Sequence, residues 1–187
     1  MRLIHSLLIF LGFTLMMSAC APARADIINT AEPQSAATTT PDWFNMELTD
    51  VQTGKTFTMN DYAGKVVLVE TMATWCPTCI IQATQVEKLH ELLGNPEDLI
   101  SVSLDIDLHE DPAVLKEYAS SYRFDWPFAI APLLVQRALG NLYNAEYLNP
   151  PLSPMLIIDR EGKVHQLDYG VKDAKTLKKI VEPYLLK

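Results

Sequence analysis

The chain has 187 residues, of which 49% are hydrophobic and 20% are charged, which is typical of one folded domain of ordinary size with extensions. Its formal net charge of −8 at pH 7 argues against nucleic-acid binding and against electrostatic docking to anionic lipid, because both need a basic face. Solubility is a sufficient reason for the acidity, and the chain contains no internal repeat.

Residues 1–19 have the pattern of a secretory signal peptide. A basic residue precedes an apolar stretch over residues 7–17, which is too short for a comfortable membrane span and is followed by small residues. Residues 17–20, Met-Ser-Ala-Cys, resemble a bacterial lipobox with Met where Leu is usual, so we expect Cys20 to be lipidated and to become the mature N-terminus. The alternative is cleavage after Ala25 in an Ala-x-Ala site, which would release a soluble protein.

The cysteine count supports the lipidated form. A lipidated Cys20 leaves Cys76 and Cys79 as an isolated pair, with no odd thiol in an oxidising compartment. Residues 20–40 are mostly Ala, Pro, Ser, Gln and Thr and carry too little apolar surface to fold, so we expect a flexible tether there. The folded domain is expected over residues 41–187.

Short strands and helices alternate in this domain. Residues 47–49 and 55–59 are predicted to form a hairpin, and the apolar run at 66–71 predicts a central strand covered on both faces. An amphipathic helix follows it and ends at residues 94–96, Gly-Asn-Pro. The other predicted elements are strands at 99–106, 126–130, 155–159 and 164–169, a helix starting at Asp111-Pro112, a helix at 133–142 and a last helix capped by Asp173. Alternating strands and helices predict an α/β sandwich, and the closing hairpin predicts a mixed sheet.

The sequence Trp-Cys-Pro-Thr-Cys at residues 75–79 lies between the central strand and the first long helix. Two thiols across the first turn of a helix can close into a disulfide, and the order strand, Cys-x-x-Cys, helix is that of a thioredoxin-type redox site. Cys76 is expected where backbone N–H groups and the helix dipole favour a thiolate. Pro77 suits the first helical position, where its missing N–H costs little.

A zinc site and a purely structural disulfide are the alternatives for this pair. Zinc needs about four ligands, usually supplied by a second Cys or His pair at similar spacing. The third cysteine, Cys20, is far upstream, and no two histidines have the spacing of a ligand pair. Redox chemistry is therefore favoured, and we expect neither a metal nor an organic cofactor.

Two stretches of the chain resemble the thioredoxin superfamily, and within it the TlpA/ResA/CcmG-like membrane-tethered thiol–disulfide oxidoreductases. They are residues 64–69, Gly-Lys-Val-Val-Leu-Val, and residues 73–79, Ala-Thr-Trp-Cys-Pro-Thr-Cys. The resemblance extends over residues 41–187. It implies a thioredoxin-like three-layer sandwich with a central mixed sheet, an N-terminal β-hairpin and an inserted helical segment between Asp107 and Pro151.

The resemblance also implies a substrate-binding set. Residues 153–158, Ser-Pro-Met-Leu-Ile-Ile, look like the strand that begins with the family's cis-proline, here Pro154. In the family this proline packs against the cysteines, and the backbone of the preceding residue, here Ser153, hydrogen-bonds an extended substrate as an added strand. The alternative is an ordinary trans proline that begins an edge strand. The substrate-binding residues implied in this way are Trp75, Pro77, Thr78, Ser153 and Pro154.

Glu70 is the third predicted catalytic residue, beside Cys76 and Cys79. Thioredoxins that resemble this chain carry an acid at its position, buried behind the second cysteine, whose proton it takes and returns. A buried carboxylate without a charged partner has a raised pKa, which suits a proton acceptor near neutral pH. Ser103 stands where thioredoxin's usual lysine partner would be, with Asp105 two residues on. The alternative is a hydrated, inert acid at the edge of the sheet.

The function implied by the resemblance is reduction of protein disulfides, for example in cytochrome c or oxidase maturation. The Cys76 thiolate would attack the partner's disulfide, and Cys79, deprotonated with help from Glu70, would release the reduced partner. The expected partners are a disulfide-bearing extracytoplasmic protein and a membrane electron donor of the DsbD/CcdA type. We expect the protein in the bacterial cell envelope, anchored to the membrane through Cys20.

Two other classes are weighed against this function. Copper chaperones of the Sco type use a Cys-x-x-x-Cys pair with a distant His, so the shorter spacing here disfavours copper binding. Peroxiredoxins rely on a Thr-x-x-Cys nucleophile with a distant Arg, and here Ala73 stands three residues before Cys76. A non-catalytic binding module would not need both cysteines.

Overall fold

The computed structural model describes residues 40–186. The predicted signal peptide, Cys20 and all but the last residue of the predicted tether lie outside this range. Within it, no helix is long and apolar enough to cross a membrane.

Eleven strands and α-helices make up the described domain, joined by loops and short 3-10 turns. The strands are β1 (Leu48–Thr49), β2 (Thr56–Phe57), β3 (Val66–Met72), β4 (Leu99–Asp105), β5 (Phe128–Ile130), β6 (Met155–Ile158) and β7 (Val164–Gln166). The α-helices are α1 (Pro77–Leu93), α2 (Pro112–Ser121), α3 (Leu133–Tyr143) and α4 (Ala174–Leu185). The 3-10 turns are Asp42–Asn45, Met59–Tyr62, Ala145–Leu148 and Pro150–Leu152.

The central sheet has five strands in the order β5-β4-β3-β6-β7. β3 runs parallel to β4, and β4 to β5, whereas β6 is antiparallel to both β3 and β7. β1 and β2 form a separate antiparallel hairpin. The predicted mixed sheet and N-terminal hairpin are thus confirmed. β5 begins two residues later than predicted, since Pro127 has no N–H to donate to the ladder.

The two faces of the sheet are covered by different layers. Every residue of β3 is buried, as predicted for a central strand. Alternate side chains of β3 point to opposite faces, so Leu68 and Met72 pack with residues of α1, α2 and α4. Val67 and Val69 pack on the other face with the hairpin and α3. This arrangement confirms the thioredoxin-like three-layer sandwich with an inserted helical segment.

Helix α1 brings the cysteine pair to the end of the central strand. Cys76 is its N-cap and Pro77 its first residue, and Gly94 ends it in the left-handed conformation at φ 72°. Cys79, Ala83 and Val86 form its buried stripe, as predicted. His90 on the last turns is half-buried and stacks on Trp126, so it is a packing residue far from the cysteines.

Candidate active site

Cys76 and Cys79 are joined by a disulfide across the first turn of α1. Their Cα atoms lie 5.4 Å apart, within the usual range for a disulfide. Both residues are 2% exposed, so exposure does not distinguish the attacking thiol from the resolving thiol. The difference between them lies in the polar groups beside each sulfur.

Hydrogen-bond donors surround the sulfur of Cys76. As the N-cap atom, Cys76 Sγ accepts from the backbone N–H of Cys79 at 3.3 Å, and the hydroxyl of Thr78 lies 3.2 Å away. The N-terminus of α1 adds the positive end of the helix dipole. All three features stabilise negative charge on this sulfur, so Cys76 is suited to be the thiolate in the reduced protein.

The sulfur of Cys79 faces an acceptor instead. Cys79 Sγ lies 3.6 Å from the carbonyl oxygen of Pro150. A carbonyl oxygen repels a thiolate and accepts from a thiol, so this contact favours the protonated form of Cys79 after reduction. A proton acceptor would have to take that proton before Cys79 could act as a nucleophile.

The segment around Pro150 is the second wall of the site. Its turn, Pro150–Leu152, is followed by Ser153 in the left-handed conformation at φ 47°, with the Ser153 N–H donating to the Pro150 carbonyl at 2.8 Å. Pro154 is buried at the end of β3, where its carbonyl accepts from the N–H of Thr71 at 3.2 Å. Ser153 is thus linked to Cys79 through the shared Pro150 carbonyl, and Pro154 is bonded to β3. Contact of Pro154 with the cysteines and the cis form of the Ser153–Pro154 bond stay predictions.

Trp75 and Pro77 form the exposed rim of the site. Trp75 is 58% exposed although its indole is tied down, because Nε1 donates to Asp107 Oδ2 at 3.1 Å. The neighbouring Thr74 hydroxyl donates to Glu110. An apolar ring held rigidly beside a disulfide is suited to contact a partner protein.

Glu70 is buried on the face of β3 that α1 covers. It is 5% exposed and lies on the middle strand of five, so the alternative of an acid at the sheet edge is wrong. Burial raises its pKa from 4.5 to about 7, and a hydrogen bond from the Ser103 hydroxyl, at 2.6 Å, opposes this rise. Ser103 was expected at the position of the usual lysine partner, but its role as a hydroxyl donor to Glu70 was not predicted from the sequence.

A second buried acid near the site was noted in the sequence without a role. Asp105 at the end of β4 is fully buried, and burial raises its pKa to about 7, against hydrogen bonds from the N–H groups of Asp107 and Thr74. Among the described residues, none donates to its Oδ2, and the same is true of the buried hydroxyl of Tyr118. An Asp-x-Asp pattern at the end of a central strand was the signal available for it.

Comparison with known proteins agrees with this geometry. The model of the redoxin family matches residues 32–182, most of the chain. The chain belongs to the redoxin family. Among curated proteins it is similar to the thiol-disulfide oxidoreductase ResA of Bacillus thuringiensis subsp. konkukian, with 27% identity over 143 residues, covering 76% of this chain and 74% of ResA.

Solved structures share the fold of this redoxin-family chain. A thiol:disulfide interchange protein from Chlorobium tepidum aligns with a TM-score of 0.64 and 20% identity, covering 75% of this chain and 92% of that chain. The exposed lipoprotein thioredoxin of Streptococcus pneumoniae aligns with a TM-score of 0.58 and 22% identity, covering 74% and 98% of the two chains. These matches confirm that the chain is a TlpA/ResA-like member of the thioredoxin superfamily. They also confirm the predicted class, thiol–disulfide oxidoreductase.

Proposed function

We propose that this redoxin-family protein reduces disulfides of partner proteins outside the cytoplasm, with Cys76 as nucleophile and Cys79 as resolving thiol. The observation that carries the proposal is the asymmetry of the two sulfurs. Donors surround Cys76 Sγ, whereas Cys79 Sγ faces the carbonyl of Pro150. One thiolate and one thiol in the same pair are what a stepwise exchange needs.

The reaction transfers two electrons from the cysteine pair to the partner. The Cys76 thiolate attacks one sulfur of the partner's disulfide, which forms a mixed disulfide and expels the partner's other sulfur as a thiolate. The Glu70 carboxylate then takes the proton of Cys79, whose thiolate attacks Cys76 Sγ. The Cys76–Cys79 disulfide forms, and the partner's second sulfur leaves and takes up a proton.

The walls of the site supply contacts for the substrate. Trp75 and Pro77 offer apolar surface at the rim, and the Thr78 hydroxyl lies beside Cys76 Sγ. Pro154, buried at the end of β3, completes the substrate-binding set that we propose. Because the N–H of Ser153 already donates to Pro150, any strand-like pairing with the substrate falls to the Ser153 carbonyl.

The cell envelope is the proposed location. The Met-Ser-Ala-Cys sequence ending at Cys20 supports a lipid anchor, and one structural neighbour is itself described as an exposed lipoprotein. The Pro-Thr dipeptide between the cysteines resembles CcmG-type reductases, so cytochrome c or oxidase maturation is the process we propose. A membrane electron donor of the DsbD/CcdA type would reset the oxidised pair.

Trapping of a mixed disulfide tests the proposal. The Cys79→Ser variant should accumulate a covalent complex with its partner, since the resolving thiol is gone, whereas Cys76→Ser should trap nothing. The reverse pattern would contradict the assigned roles. A reduction potential near about −270 mV for the wild-type pair would support a reductant, and one near about −120 mV would instead make the protein an oxidant.

A further inference from the structure

A directed chain of hydrogen bonds ends on the buried carboxyl of Glu70. The indole N–H of Trp126 donates to Ser103 Oγ at 2.9 Å, and the Ser103 hydroxyl donates to Glu70 Oε1 at 2.6 Å. We infer that Ser103 and Trp126 are positioning residues that orient Glu70 and keep it partly ionised for proton exchange with Cys79. This inference rests on the proposed function, in which Glu70 is the proton acceptor.

The direction of the chain follows from the chemistry of the indole. A tryptophan N–H only donates, so Ser103 Oγ must be the acceptor in the first bond. The single hydroxyl proton of Ser103 is then available for Glu70 Oε1. Oε1 is therefore an acceptor in both protonation states, and the exchangeable proton of the acid resides on Oε2.

Burial makes this arrangement energetically important. Ser103 and Trp126 are both buried, and a hydrogen bond to a charged group strengthens where water is excluded. Trp126 is held in place by Phe124 and Phe128, whose ring centroids lie 4.8 Å and 5.7 Å from its own. The donor at the start of this hydrogen-bond chain is thus rigid. Because Ser103 Oγ accepts from the indole, the Ser103 proton cannot pair with Trp126, and turning it away from Glu70 would leave Oε1 without its donor.

The hydrogen bond acts against desolvation at Glu70. Burial favours the neutral acid, and the bond from Ser103 favours the carboxylate. Among the described residues, Tyr118 on α2 faces this acid, and Asp105 lies two residues beyond Ser103 on β4 and also acts on Tyr118. Neither group carries positive charge. Apart from the cysteines, α1 contributes His90, whose contact with this row of hydrogen bonds is its stacking on the ring of Trp126. The hydrogen bond from Ser103 is consequently what favours the ionised form of Glu70 near neutral pH.

The chain can be tested with a chromogenic aryl disulfide and the reduced protein. Attack by Cys76 releases one coloured thiolate, and resolution by Cys79 releases the second, so stopped-flow absorbance separates the two steps. In Ser103→Ala, we expect the pH midpoint of the second step to rise by about one pH unit, with about tenfold slower release below the midpoint. The first step should be unchanged, and Trp126→Phe should shift the second midpoint upward by less.

Ser101→Ala is the matched control. Ser101 is also buried on β4, two residues away on the same face, but its hydroxyl pairs with His90 Nε2 at 2.8 Å instead of Glu70. It should keep the wild-type profile, as should Ser103→Thr, which retains the hydroxyl. A Ser103→Ala profile that coincides with wild type, or that is slower at every pH with no shift of the midpoint, would overturn the inference.

An infrared titration separates this inference from the proposed function. The carbonyl stretch of protonated Glu70, assigned by its loss in Glu70→Gln, reports the pKa of the acid without any turnover. An upward shift of that pKa in Ser103→Ala is expected even if wild-type protein never releases the second thiolate. If the second thiolate is never released, the proposed role of Cys79 is wrong. If the pKa of Glu70 is unchanged in Ser103→Ala, the inferred role of the Trp126–Ser103–Glu70 hydrogen bonds is wrong.

Discussion

Thr78 Oγ1 lies 3.2 Å from Cys76 Sγ and 3.2 Å from the carbonyl oxygen of Pro151. One hydroxyl proton cannot serve both acceptors at once. A sulfur in a disulfide is a weak acceptor, so in the oxidised protein the Thr78 hydroxyl donates to the Pro151 carbonyl. A thiolate is a strong acceptor, so reduction favours rotation of the hydroxyl toward Cys76.

Replacement of Thr78 by Val should therefore slow the attack of Cys76. Val keeps the branched shape but removes the donor, which lowers the thiolate fraction at neutral pH. We expect alkylation of reduced Cys76 near neutral pH to slow by roughly fivefold to tenfold. Thr84→Val is the control, because the Thr84 hydroxyl bonds within α1 to the Ile80 carbonyl at 2.8 Å. Equal rates in the two variants would show that the Thr78 hydroxyl does not act on the thiolate.

Loss of the Trp75 ring should weaken reactions with protein substrates selectively. Trp75 offers an exposed ring beside the disulfide, and such rings often dominate binding energy in protein interfaces. In Trp75→Ala, we expect kcat/KM for a protein disulfide to fall by roughly tenfold, with little change for a small aryl disulfide. Leu134→Ala is a suitable control, since Leu134 is 60% exposed on α3. An equal fall for both substrates would point to damage at the cysteines.

Lipidation at Cys20 predicts a membrane-bound protein. The wild-type protein should sediment with membranes, and Cys20→Ala should not, because the variant has no thiol to carry the lipid. Mass spectrometry of the mature N-terminus provides the direct check. A terminus that follows Ala25 would replace the anchored protein with a soluble one.

The parts of the site that the sequence predicted depend on short spacings. The Cys-x-x-Cys pair and its place at the start of α1 follow from local spacing, whereas the buried position of Glu70 was implied by the family resemblance. The contact between Cys79 and Pro150, which are 71 positions apart, was not predicted. For Ser103, 33 positions from Glu70, the family resemblance indicated a place beside the acid but not the hydrogen bond to it. Strand register decides such pairs, and register depends on how the whole sheet packs.

Glu70 should make the stability of the protein fall as the pH rises. Its pKa in the folded state, about 7, lies above the ordinary value of 4.5, so between these values the folded state binds more protons than the unfolded chain. Above pH 7 the buried, ionised Glu70 therefore lowers the free energy of unfolding, by on the order of 3 kcal/mol relative to acid pH. Glu70→Gln keeps an acceptor for Ser103 and removes the charge.

We accordingly expect Glu70→Gln to raise the melting temperature by several degrees at about pH 8.5 and to change it little at about pH 4. Glu91→Gln, at an exposed position on the same helix as the cysteines, controls for the loss of one negative charge. Its melting temperature should follow that of the wild-type protein at both pH values. A Glu70→Gln effect of the same size at both values would mean that the gain comes from packing, because only ionisation of the buried acid makes the gain grow between pH 4.5 and about 7.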